Sequence, residues 1–213
     1  MTRSRRVRAA LVGVLASAVL LGITACTEQA DTPAPAAAAQ PSPSAVAMRI
    51  DKPAKLLGTW TESVFRPRRD AAERSMGNLR KLLSTETTSA MGTAYVRAEE
   101  VYSEELGLHI PHDDQRAILI SAVSGTITDP TATLEKLFAG LPNVTDVGPI
   151  LPGPLGGAAA CGTGQGNPAI RVDVCGWSDD HTVGMVTLFG FAESDDPHGV
   201  FGQIRAEVEH SAR

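Results

Sequence analysis

Hydrophobic positions follow three different patterns along the chain. From Ala9 to Ile23 they run almost unbroken, over residues 27–48 no large apolar side chain occurs before Met48, and beyond Ile50 they recur at the spacings of helices and strands. In that last region Ala72, Met76, Leu79 and Leu83 repeat at helical spacing behind Asp70 and Glu73, which form a capping-box-like start, so residues 71–84 are predicted as an amphipathic helix. Asp129 and Pro130 supply an N-cap and a first-turn proline for a second helix that carries Leu134, Leu137 and Phe138 and ends at Gly140. Asp196 and Pro197 repeat the device ahead of Val200, Phe201, Ile204 and Val208. Strands are expected at 92–98, 117–127, 169–177 and 182–191, with a weaker one at 144–150. The segment AILISAV is apolar on both faces and reads as a central strand. Helices and strands do not alternate as they do in a doubly wound sheet. The order predicts a two-layer α+β domain, with a mainly antiparallel sheet and helices on one face.

One hairpin is patterned well enough to assign faces. Ile170, Val172 and Val174 alternate with Arg171 and Asp173, so the first three are expected to face the helices and Cys175 and Trp177 to face away. A reversal around Asp179 and Asp180 would set Trp177 opposite Thr182, Cys175 opposite Gly184, Val174 opposite Met185, Val172 opposite Thr187 and Ile170 opposite Phe189. This places Gly184 beside a cysteine and leaves Trp177, with Asp179, Arg171 and Asp173, as a candidate binding patch on the outer face.

The N-terminal pattern is that of an export signal. A cationic segment, RSRRVR at 3–8, precedes the apolar stretch, which is shorter than the roughly 20 residues of a spanning helix. Ile23-Thr24-Ala25-Cys26 follows, and it resembles the lipobox of bacterial lipoproteins, with Cys26 as the lipid acceptor. The resemblance implies removal of residues 1–25 and diacylglyceryl transfer to the Cys26 thiol. With each buried methylene contributing about 0.8 kcal/mol and two chains sufficing for stable anchoring, the protein is expected on the outer face of the cell membrane. Residues 26–49, rich in Pro and Ala with Pro33, Pro35, Pro41 and Pro43, read as a flexible tether, and residues 50–213 as one globular domain.

Charge narrows the partners. The formal charge of -5 becomes -9 once Arg3, Arg5, Arg6 and Arg8 leave with the leader. An acidic body poor in aromatic residues is unsuited to nucleic acid. Its one basic knot, Arg66, Arg68 and Arg69, reads as a solvated helix entry.

With Cys26 lipidated, Cys161 and Cys175 remain as an even count in an oxidising setting, and they are expected to pair. The loop so closed contains GTGQGNPA, which lacks the lysine of a phosphate loop and is followed by a strand where a helix would be needed. Gly153, Gly156 and Gly157 in PGPLGG read as a tight bend. The stretch from Pro152 to Phe191, with its glycines, two cysteines and C-G-W-x-D turn, resembles a group of uncharacterised secreted and lipoprotein-type proteins of actinobacteria. The matching positions are Cys161, Gly162, Cys175, Gly176, Trp177, Asp179, Thr182 and Gly184. The resemblance implies an envelope-associated domain and carries over no catalytic residue.

No G-x-S-x-G elbow, H-E-x-x-H helix or S-x-x-K nucleophile occurs, and no cofactor motif is present. Two clusters hold the side chains a metal-dependent or hydrolytic enzyme would use: His109 with His112, and Asp179, Asp180 and His181 at the tip of the expected hairpin. The first expectation is a noncatalytic envelope module that binds a small ligand, a cell-wall component or an envelope protein. The alternative is an envelope hydrolase or metal-dependent enzyme built on those clusters.

Overall fold

The structure is a computed structural model that describes residues 47–105, 107–109, 116–165 and 170–212. Cys26, the leader, most of the tether, His112 and residues 166–169 of the glycine-rich loop lie outside the described residues. In chain order the elements are β1 (Met48–Ile50), β2 (Thr61–Glu62), α1 (Arg66–Leu79), β3 (Ser89–Val96), β4 (Val101–Ser103), β5 (Gly107–His109), β6 (Ala117–Ser124), α2 (Pro130–Ala139), β7 (Val144–Ile150), β8 (Ala158–Gly164), β9 (Val172–Ser178), β10 (Thr182–Phe189), α3 (Pro197–Val208) and β11 (Glu209–Ser211). Seven strands form one antiparallel sheet in the order β2-β3-β6-β10-β9-β8-β7, and β1 pairs with β11 in a separate two-stranded ribbon. The fold is α+β with a mainly antiparallel sheet, as the pattern predicts. AILISAV forms the body of β6, flanked on both sides by strands.

The alternation along each strand sorts the core into two layers. On one face Val123, Val174, Val183 and Met185 meet Leu79 at the end of α1 and Leu137 of α2. On the other, Tyr95, Ile118, Ile120, Val186 and Leu188 cluster with Phe201, Ile204 and Val208. Two helices therefore share a face, and α3 packs on the opposite one, where the sequence pattern places no helix. The crossing is made just after β10. Gly190 takes φ 72°, and Phe191 turns under the sheet to stack on Trp60 with ring centroids 5.6 Å apart.

The local signals account for the helix starts unevenly. Asp129 and Asp196 cap α2 and α3 through their carboxylates, which accept from the backbone N–H of Ala132 and Gly199. Helix α1 starts at Arg66, ahead of the expected Asp70, with Phe65 at the N-cap, no side-chain cap bond and a proline in its first turn. Pro67, preset to helical φ, supplies the nucleating turn, and Asp70 becomes the partner of Arg66 at 3.6 Å instead of a cap. Arg68 of the basic knot forms an ion pair with Glu100.

Two further corrections concern the disulfide region. Residues 158–164, where the pattern predicts no strand, form β8, paired with β9 from Ala158 to Thr163. Cys161 lies directly across the ladder from Cys175, and the two are bonded, with Cα atoms 4.0 Å apart. The β9–β10 register also differs from the expected one. Gly184 pairs with Trp177, Val186 with Cys175, Thr187 with Val174 and Phe189 with Val172. The shift is two residues, so every side chain keeps its expected face: Val172 and Val174 pack toward α1 and α2, while Cys175 and Trp177 pack away from them.

Candidate functional site

The two-residue shift comes from the turn. Asp179 Oδ1 accepts from the backbone N–H of His181 (2.7 Å) and of Thr182 (2.8 Å), so the loop holds four residues rather than a pivot on Asp179 and Asp180. This brings the matched positions of the C-G-W-x-D segment into one chain of contacts. Trp177 Nε1 donates to Thr182 Oγ1 at 3.0 Å, and Thr182 Oγ1 donates to Asp179 Oδ2 at 2.7 Å. The indole ring packs against Gly184, where a Cβ would come within 2.0 Å of it. Glycine is required there, but by the tryptophan and not by the disulfide.

Behind this turn sits a buried cation. Arg205, 1% exposed, donates from Nε to Glu209 Oε2 (2.8 Å), from Nη1 to the carbonyls of Pro152 (3.0 Å) and Gly156 (2.8 Å), and from Nη2 to Asp179 Oδ2 (2.8 Å). Its guanidinium carbon lies 5.7 Å from the centre of the Trp177 ring, which also meets the Phe201 ring with centroids 6.0 Å apart. The bend at 152–157 reaches Arg205 because Gly157 takes φ 81° and packs against Ser178 and Asp179, where a side chain would clash with the Ser178 carbonyl. The only sequence signal for this knot is the four-residue spacing of Arg205, in the last turn of α3, and Glu209 just past its end.

The two carboxyl groups in the knot are shifted in opposite directions. Burial pushes Glu209 up to about 7, and its hydrogen bond with Asp179 adds to this while Arg205 opposes it. Burial also acts to raise Asp179, but hydrogen bonds from Glu209, Thr182 and the two turn amides more than offset this and hold it below the ordinary carboxylate range. Because the folded value of Glu209 lies above its ordinary 4.5, its contribution to stability is full below pH 4.5 and is lost as pH rises to about 7. Glu209→Gln, which mimics the protonated form, should therefore lose less stability than the wild type between pH 5 and pH 8. Thermal melts at both pH values check this, and a wild type that gains on the variant over the interval would contradict it.

A groove opens on the other face, between α2 and the β7–β8 edge. It encloses about 570 Å³ and is lined by Thr131, Leu134, Glu135 and Phe138 of α2, by Val147 to Ile150 with Pro152, and by Gly157 to Ala160. The space exists because Ala158 and Ala160, the side chains β8 turns toward α2, are small, and because β7 bulges between Thr145 and Gly148, with Asp146 at φ 55°. Among the described residues Glu135 is its one ionisable lining residue, and no cation lines it. Val147 and the neighbouring Leu151 are 44% and 91% exposed.

No protein-family model, curated protein or solved structure matches the chain.

The structure brings some expected site residues together and separates others. Trp177 is fully buried and Asp173 nearly so, and Arg171 is committed to Asp173, donating from Nε at 2.9 Å. Trp177, Asp179, Arg171 and Asp173 therefore form no common surface. Trp177 and Asp179 lie in the Arg205 knot, and the Arg171–Asp173 pair lies toward the other end of β9. Burial of the indole under α3 is the physical reason, because the face expected to present the patch carries a helix. Asp179 is 13% exposed with both oxygens occupied as acceptors, while His109 is exposed on β5, a strand that among the described residues pairs with β4 alone. No helix among the described residues is long and apolar enough to cross a membrane.

Proposed function

We propose that the chain is a lipoprotein anchored through Cys26 on the outer face of the cell membrane, and that its domain binds a small apolar ligand of the acyl-chain class in the α2/β7–β8 groove. The observation that carries this reading is the lining, in which alanine, glycine and branched apolar side chains surround a volume within the usual ligand range of about 300–1,000 Å³. With Glu135 alone at its edge and no cation among the described lining residues, the groove favours an uncharged hydrocarbon and disfavours an anionic head group inside it. Anchoring adds to this, since a membrane-tethered domain works beside a source of acyl chains. The enzyme reading gains no support from geometry. Asp179 holds a turn and a buried arginine, and the hydroxyl beside it, Thr182 Oγ1, is buried and occupied by Trp177 and Asp179.

The soluble unit beginning at Pro43 should take up a fluorescent fatty acid that unlabelled fatty acid displaces. Ala160→Phe, which fills the groove floor, should weaken that uptake by more than about tenfold while the protein still melts cooperatively, a loss of roughly 1.4 kcal/mol in binding. Uptake unchanged by Ala160→Phe would place the ligand elsewhere. Self-association in sedimentation, with no uptake, would assign the groove to a second copy. The anchor is tested separately, because Cys26→Ala should move the protein out of the membrane fraction.

A further inference from the structure

The disulfide has a third neighbour that the lipid-binding reading does not use. His198, in the first turn of α3, is exposed, and one of its ring nitrogens lies with the sulfurs of Cys161 and Cys175 so that all three atoms fall within 4.8 Å of one another. The three come from separate elements, β8, β9 and α3, and α3 packs onto β9 through the apolar side chains of its buried face. The imidazole is thus held over the sulfurs by the fold and not by chain proximity. This juxtaposition lies on the opposite face of the sheet from the groove.

The geometry points to a redox-gated cation site: when the Cys161–Cys175 bond is reduced, the two thiolates and His198 bind one thiophilic divalent cation of the zinc class. Two sulfur ligands and one imidazole suit a borderline-soft ion, and three protein ligands leave a fourth position for water on the exposed side of His198. While the disulfide is intact the sulfurs are bonded to each other and the site is closed. A dithiol reductant opens it, as Cys161–S–S–Cys175 takes two electrons and two protons and the reductant leaves as its own disulfide. The cation then displaces two protons from the two thiols and accepts the neutral imidazole nitrogen, so metal binding releases two protons and becomes weaker as pH falls. The ladder already sets the two cysteines opposite each other, so the sulfurs need only separate across the strand pair.

The test uses the full chain in detergent, reduced with a dithiol, freed of reductant without air and titrated with Co2+. Reduced protein should bind one equivalent with a sulfur-to-cobalt charge-transfer band and tetrahedral visible bands, Zn2+ should bleach both, and the oxidised protein should show neither. His198→Ala removes an exposed side chain and leaves the disulfide, so it keeps the fold testable. It should weaken Co2+ binding by more than about tenfold and remove the imidazole contribution to the visible bands. Near-ultraviolet circular dichroism from the buried Trp177 reports whether the reduced protein stays folded. An unfolded reduced state, a reduced protein without the charge-transfer band, or equal Co2+ affinity in His198→Ala would each overturn the site.

Discussion

Arg205→Ala should destabilise the domain by about 3–5 kcal/mol, the cost of removing one partner from a buried ion pair and leaving the other uncompensated. The side chain is 1% exposed and makes four N–H···O bonds, to Glu209, Asp179 and the carbonyls of Pro152 and Gly156. Truncation leaves Asp179 ionised without its cation, strips both carbonyls of a donor and takes the guanidinium from the Trp177 ring. At roughly 2–4 °C per kcal/mol for a domain of this size, the melting temperature should fall by on the order of 10 °C. Arg205→Lys should recover only part of the loss, since a single ammonium cannot span the carboxylates on one side and the bend on the other. Calorimetry at pH 7 checks this, and a fall of less than about 2 °C for the alanine variant would mean the knot contributes little.

Gly184→Ala should cost about 3 kcal/mol or more, at the upper end of what overpacking a core does. The added Cβ would stand 2.0 Å from the Trp177 ring, and the indole cannot retreat without breaking its bond to Thr182 and its contact with Arg205. A double-mutant cycle with Trp177→Leu makes the prediction specific. Alanine at 184 should be far better tolerated beside the smaller residue, giving a coupling on the order of 1–3 kcal/mol. In the register first expected from the pattern, Gly184 neighbours Cys175 instead, and the coupling to Trp177 would vanish. The cycle therefore distinguishes two alignments that present identical faces.

That pair of alignments shows where sequence reading stops. The central strand, the caps of α2 and α3 and the faces of β9 were legible because hydrophobic period and capping chemistry are local. The disulfide was legible from cysteine count. Strand β8 was not, because AAACGTG carries almost no β-branched or large side chain and holds its place through pairing with β9. The register was missed because a two-residue slip leaves every side chain on its own face, and the choice rested on the Asp179 turn. The Arg205 knot was missed because an arginine on an amphipathic helix ordinarily faces water, and only the bend at 152–157 and the hairpin tip, distant in sequence, enclose it. The groove is legible in no single element. It comes from small residues on β8, the bulge in β7 and the path of α2 together.

The claim that the groove is an acyl-binding site is tested most directly by titrating the isotope-labelled unit from Pro43 with an unlabelled fatty acid and following amide and methyl shifts. The account predicts saturable perturbations at Leu134, Val147, Ile150, Ala158 and Ala160, with the α3 face around Ile204 and Val208 unmoved. Saturable shifts confined to the α3 face, or none at any soluble concentration of the acid, would contradict it.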